Sequence, residues 1–362
     1  MSNQNQKFTL GVEEEYMICD TKTGDLVDKA SLVMNEFNDS KRFSFELIES
    51  EIETNTSVHL SVKNAIKEIS NLRNKVNNFG KKNDFSIGIS GTHPTGIPEQ
   101  QTFINNDSYS WVKNQLHYYA KRNMTFSTHV HVGLPDFTRV TDVMNSLRRW
   151  IAPLLALSTN SPFFEGIKTG MRSSRTMQFG SFPRTNIPQS FSSLNEYKDV
   201  TNKLIEINSI EKMRHIWWKL RPHLDFKTLE FRVCDAQRSL KNVYMLTAIS
   251  RALVHKAYYD KNLDKSKNLS MEYLNDSIWK ATRFDLDSMI YDEISNQNMS
   301  IKNLIEKMYA YCKESLDIFG DNISEEIENI IKNGTECDEQ LNFYNKNGID
   351  KLKLFLIDKV EY

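Results

Sequence analysis

The chain has 362 residues, 39% of them hydrophobic and 26% charged, with a formal net charge of −1. That length suits one large domain or two ordinary ones. The charge balance leaves no basic excess for a nucleic-acid backbone, and no long apolar run reads as a membrane span. In chain order, the polar residues 1–7 lack the apolar stretch of a signal peptide. Residues 9–19 (TLGVEEEYMIC) read as a strand, and residues 45–54 (FELIESEIET) alternate and read as a second. Over residues 62–79, Val62, Ala65, Ile66, Ile69, Leu72, Val76 and Phe79 recur at three and four, predicting an amphipathic helix that stops at Gly80. Residues 85–90 and 125–133 read as strands, residues 141–157 as a helix and residues 227–234 as a strand. Helices are predicted at 242–259, 301–319, 324–332 and 348–358. All eight prolines lie between Pro94 and Pro222, so the middle should be rich in loops. No linker or repeat divides the chain, and residues 1–362 read as one domain. Early strands and a helical tail favour an α+β fold with an antiparallel sheet.

Five segments carry chemistry. On a strand, alternate side chains share a face, so Glu13 and Glu15 of GVEEEY lie together, opposite Val12, Glu14 and Tyr16. By the same rule Glu49, Glu51 and Glu53 share a face, as do His129 and His131 of THVHVG. Glu230 and Arg232 share one in LEFRVCD, and alternation puts Cys234 there too, as a packing residue. Arg172, Arg175 and Arg184 gather in a Ser-, Gly- and Pro-rich stretch, where guanidinium forks suit carboxylates and phosphates. Each segment alone also reads as solvated surface or satisfied core. Together, carboxylates with one or two histidines suit Mg²⁺ or Mn²⁺. Cations with arginines are what phosphoryl transfer from ATP requires. No GxxxxGK[ST] loop is present, so ATP would bind through metals on a sheet. The four cysteines (Cys19, Cys234, Cys312, Cys337) are far apart, which argues against a disulfide framework or zinc ribbon and fits the reducing cytoplasm.

In this order the segments resemble the glutamate–cysteine ligase type 2 family, the carboxylate–amine ligases. GVEEEY, ESEIET, THVHVG, SSRTMQFGSFPRT, TLEFRVCD and the closing segment Ile331 to Leu341 (an NG…DxQ pattern) span nearly the whole chain. The resemblance implies a fold like the glutamine synthetase catalytic domain, a curved antiparallel sheet backed by helices. It also implies ATP-dependent joining of the glutamate γ-carboxylate to cysteine through an acyl phosphate. It places Glu13, Glu15, Glu53, His131 and Glu230 at the metal positions and Arg232 at the phosphates. Arg175 falls where the amino-acid substrate is held, with Arg184 close by. The chain departs from the commoner pattern at Arg172 and Gln178, in the substrate loop. The alternatives are another acid or amine with the same mechanism, a metal-dependent hydrolase, and a silent nucleotide-binding protein. The expected partners are amino-acid substrates and ATP, with neither nucleic acid nor membrane; the composition permits a homodimer.

Overall fold

A computed structural model describes residues 8–105, 107–260 and 268–362. The stretch 1–7, on which the signal-peptide reading rests, lies outside them. Strands β1 (Leu10–Asp20), β2 (Phe43–Phe45), β3 (Glu51–Asn55), β4 (Phe85–Gly88), β5 (Ser127–Gly133), β6 (Leu220–His223) and β7 (Thr228–Asp235) form one open sheet. Its order is β2-β3-β1-β5-β7-β6, with β4 also paired to β1. Every pairing is antiparallel, as the α+β reading expects. β1 pairs with β3 over Glu13–Met17 on one edge; on the other it pairs with β5 and then, from Met17, with β4.

One face of the sheet is apolar. Leu10 and Val12 of β1, Val130 and Val132 of β5, and Leu229, Phe231 and Val233 of β7 join one buried core with the helices. Those helices include α1 (Val62–Lys81), α2 (Val140–Leu147), α3 (Ile151–Ser158), α4 (Leu240–Tyr259) and α5 (Ile301–Phe319). Covering this face leaves the charged alternates of the same strands on the other, and that second face is where the cleft forms.

Three elements differ from the expectation. Residues 45–54 are not one strand: β2 and β3 are two arms of a hairpin, with Phe43 opposite Thr54 and Phe45 opposite Ile52. The chain must therefore reverse between them. Glu49 falls in that connection, and its carboxylate accepts hydrogen bonds from the Ser31 amide (3.0 Å) and hydroxyl (2.6 Å). The helix expected over residues 141–157 tightens to a 3₁₀ turn at Arg148–Trp150. Pro153, in the first turn of α3, has no N–H to continue an α-helical ladder through that point. Finally, β6 contains Pro222, in the stretch expected to be rich in loops. As the last strand of the sheet, β6 tolerates it.

Candidate active site

Strand register brings the acidic segments and the histidines together. Across β1 and β5, Glu13 lies opposite His129 and Gly11 opposite His131; across β1 and β3, Glu15 lies opposite Glu53; across β5 and β7, His131 lies opposite Glu230. Glu13 is thereby flanked by both imidazoles, with Oε2 at 3.2 Å from His129 Nδ1 and Oε1 at 3.1 Å from His131 Nε2. His131 Nε2 is also 3.8 Å from Glu230, and its Nδ1 lies 2.9 Å from Thr228 Oγ1. Glu15 accepts from the Ser127 amide and hydroxyl, each at 2.6 Å, and that hydroxyl lies 2.7 Å from His129 Nε2.

Donor atoms from these residues form three groups, each compact enough for one cation: Glu13, Glu53 and His129; Glu13, His131 and Glu230; and Glu15, Glu46 and Glu53. Hard oxygen donors with at most one imidazole per group suit Mg²⁺ or Mn²⁺ better than a thiophilic metal. The electrostatics fit a cation as well. Burial and the charges of Glu13 and Glu15 raise the Glu53 carboxyl to about 8. Burial and the neighbouring Glu53 and Glu15 push Glu46 well above the ordinary range. Crowded carboxylates of this kind hold protons unless a positive charge lies among them. Glu13 behaves oppositely. Burial pushes its pKa up, but the charge of His131 and hydrogen bonds from both histidines hold it well below its usual value.

Glu230 anchors the arginine side of the site. It is fully buried. Arg221 Nε and Nη2 both reach its Oε2 at 2.7 Å, and Arg232 Nη1 meets its Oε1. Against burial, the Arg221 and Arg232 guanidiniums keep this carboxyl far below the ordinary range. Arg221 and Arg232, with Glu13, Glu15, Glu46, Glu53 and His129, line a cleft of about 410 Å³ whose walls also carry Phe45, Tyr109, Phe179, Phe182 and Trp217. A larger cleft of about 810 Å³ is bordered by the C-terminal helices and contains none of them.

Glu13, Glu15, Glu53, His129, Arg175 and Arg232 therefore line one cleft, and His131 and Glu230 lie buried beside it against Glu13 and Arg232. Arg184 is not among its lining residues; it takes a left-handed conformation at φ 59° and its carbonyl accepts from the Trp217 amide. Arg175 lies in the short helix Ser174–Phe179. Both of its terminal nitrogens are engaged by main-chain carbonyls, Nη1 by Val233 at 3.1 Å and Nη2 by Arg232 at 2.9 Å. Arg172 pairs with Asp285 and Asp338, so its departure from the family pattern has a structural partner. Gln178 is half-buried, and its carbonyl accepts from the Ser181 hydroxyl.

Cys234 does not share the face of Arg232. From Thr128 to Val130 the chain of β5 advances two residues, while its partners on β7 run from Cys234 to Phe231, three residues. This β-bulge resets the alternation and sends Cys234 into the core, where it packs. Two contributors escaped the sequence reading: Glu46, which follows the end of β2, and Arg221, which lies on β6 in the stretch expected to be rich in loops. His129, a candidate beside His131 on the same strand face, joins Glu13 and Glu53 in one of the donor groups.

Residues 9–352 match the family described as Glutamate-cysteine ligase family 2. A relative named "Putative glutamate--cysteine ligase 2" from Solibacter usitatus is 32% identical, over 100% of this chain and 96% of its own. One of the same name from Herpetosiphon aurantiacus is 31% identical, over 94% of this chain and 90% of its own. Among solved structures, a glutamate–cysteine ligase from Francisella tularensis in complex with AMP superposes with a TM-score of 0.71 at 12% identity, covering 98% of this chain and 88% of its own. A bifunctional glutathione synthetase from Pasteurella multocida gives 0.70 at 14% identity; it covers 99% of this chain, which spans 52% of its length. At those identities the superpositions speak to the fold.

Proposed function

Because the chain belongs to the glutamate–cysteine ligase family 2, we propose that its cleft joins a carboxylate to an amine at the expense of ATP, with glutamate as the acid and cysteine as the amine. The observation that carries this reading is the row of three cation-sized donor groups sharing Glu13 and Glu53, beside the Arg221–Glu230–Arg232 cluster.

The chemistry follows from charge. A carboxylate oxygen attacks the γ-phosphorus of ATP, the bond to the bridging oxygen breaks, and ADP leaves. The resulting acyl phosphate exchanges a poor leaving group, oxide, for phosphate. The neutral amine then attacks the acyl carbon and phosphate departs. Mg²⁺ held by Glu13, Glu15, Glu46, Glu53, His129, His131 and Glu230 would neutralise phosphate oxygens during transfer. Arg232 is placed to meet the transferring phosphoryl group, where a fixed guanidinium counters developing charge. Arg221 holds Glu230 and so fixes the carboxylate against which Arg232 is oriented.

The oxygen-rich donor set supports Mg²⁺, with Mn²⁺ as the alternative ion. We place the protein in the cytoplasm; its four cysteines are free and buried, which supports a reducing compartment. Among the described residues no helix is long and apolar enough to cross a membrane. We read residues 1–362 as one catalytic domain, with a homodimer permitted.

The test is ADP release by the purified protein with Mg·ATP and glutamate, with and without cysteine. Cysteine-dependent ADP with γ-glutamylcysteine in the mass spectrum is the expected result. ADP that depends on a different acid or amine keeps the mechanism and changes the substrate pair. No ADP with any pair overturns the ligase reading.

A further inference from the structure

The Arg175 side chain braces the bulge in β7. A bulge inserts one extra residue and leaves local main-chain groups without ladder partners. Buried carbonyls of that kind need donors. Here the orphaned groups are the carbonyls of Arg232 and Val233, and the Arg175 fork satisfies both. On its other side, the Arg232 amide donates to the Lys219 carbonyl at 2.9 Å. The Arg232 residue is therefore clamped at both ends of its own backbone unit.

The base of the clamp is rigid. Arg175 is 3% exposed. Its amide donates to Ser161 Oγ at 3.1 Å, and that hydroxyl donates to Asp235 at 2.6 Å. Asp235 ends β7 and also accepts from the Asn160 amide at 3.0 Å and the Ser173 hydroxyl at 2.8 Å. Ser173 caps the helix that carries Arg175, accepting from the Thr176 amide at 3.2 Å. The fork, the helix cap and the strand end form one closed network. The two carbonyl bonds use one N–H on each terminal nitrogen and hold the fork against the bulge.

We propose that Arg175 is a positioning residue: it holds the β7 bulge, and through it the direction of the Arg232 guanidinium. The proposal rests on the ligase reading for its kinetic test, though not for its binding test. Lysine is a point charge on a flexible stem and cannot reproduce the fork, so Arg175→Lys should loosen the bulge.

The experiment compares wild type and Arg175→Lys in two ways. The first is the affinity for Mg·ADP alone, by calorimetry; the second is a steady-state series in which Mg·ATP and the acid substrate are each varied. A positioning role predicts that Mg·ADP affinity and kcat each fall by about tenfold or more while the acid's KM moves by less than about threefold. Unchanged Mg·ADP affinity and kcat, with a rise confined to the acid's KM, overturns it. If Arg175→Lys does not fold, Ser173→Ala removes one strut of the same network without touching the fork. It should show the same pattern at smaller amplitude, and a rise in the acid's KM alone counts against the proposal. Should wild type release no ADP with any substrate pair, the function reading fails, while the Mg·ADP affinities still decide the role of Arg175.

Discussion

Glu230 shows how a single residue acquires its function from its neighbours. It is an ordinary glutamate in LEFRVCD until Arg221, Arg232 and His131 close around it. Glu230→Gln retains the shape and removes the charge, leaving two buried guanidiniums without their anion. ADP formation should fall by about a hundredfold or more, the scale seen when one preorganised charge is removed from a transition state. Glu13→Gln should do the same, because Glu13 belongs to two of the donor groups. Circular dichroism establishes that each variant is folded, and wild-type ADP production by either would remove that residue from the site. Glu14, one position away, has a different fate. Its carboxylate meets Arg73 at 2.7 Å and 2.9 Å and accepts from the Tyr16 hydroxyl at 2.7 Å, all in the interior. In GVEEEY, three adjacent glutamates thus divide between a candidate metal site and a structural ion pair, according to which face of β1 each occupies.

At the scale of elements, that ion pair ties the sheet to the segment after β7 and to the C-terminal residues. Arg73, on α1, also donates to the carbonyls of Gln237, Arg238 and Glu361. Removing one partner of a buried pair leaves an uncompensated charge and costs about 3–5 kcal/mol. Glu14→Leu should lower the urea midpoint accordingly, and a midpoint within error of wild type would show that the pair carries no net stability. The closing NG…DxQ segment is likewise structural. Asp338 accepts from the Thr335 amide in a capping box that starts the helix Glu336–Asn347. Gln340 donates to Ser90 Oγ at 3.0 Å and to the Asn160 carbonyl at 2.8 Å. Asn160 is also a donor to Asp235, so the C-terminal helices brace the strand that carries Glu230 and Arg232. A motif that looks functional in sequence here supports the site from behind.

For the whole molecule, the consequence of burying so many polar groups is a defined response to acid. Burial depresses the His93 pKa to about 4. Its Nε2 lies 2.8 Å from the Gly24 carbonyl, and its Nδ1 accepts from the Thr95 amide at 3.3 Å, the pattern of a neutral ring. An unfolded histidine titrates near 6.5. The unfolded chain therefore binds the proton first, and stability present above about pH 6.5 is lost as pH falls towards about 4, by at most about 3 kcal/mol from this one residue. His215, His223 and His255 are also lowered to about 4, chiefly by burial. His131 acts in the opposite sense: burial lowers its pKa, but Glu13 and Glu230 outweigh that and raise it. The metal-free protein should show a falling urea midpoint between pH 6.5 and 4, and His93→Gln should fall less steeply. A variant with the wild-type slope would show that His93 is not held neutral.

Local pattern alone determined much of this protein. Period-two alternation put Glu13 with Glu15, His129 with His131 and Glu230 with Arg232, because strand geometry admits no other arrangement. The three-and-four spacing located α1, and the order of the motifs identified the family. Other features were decided by partners distant in sequence. Register across β1, β3, β5 and β7 determined which carboxylates meet, and the β2–β3 reversal delivered Glu46 and turned Glu49 away. The bulge in β7 moved Cys234 into the core and presented two carbonyls to Arg175, while the edge position of β6 allowed Pro222 and brought in Arg221. A strand's faces follow from its own backbone, whereas register, bulges and edges exist only between strands, so they are settled when the sheet assembles.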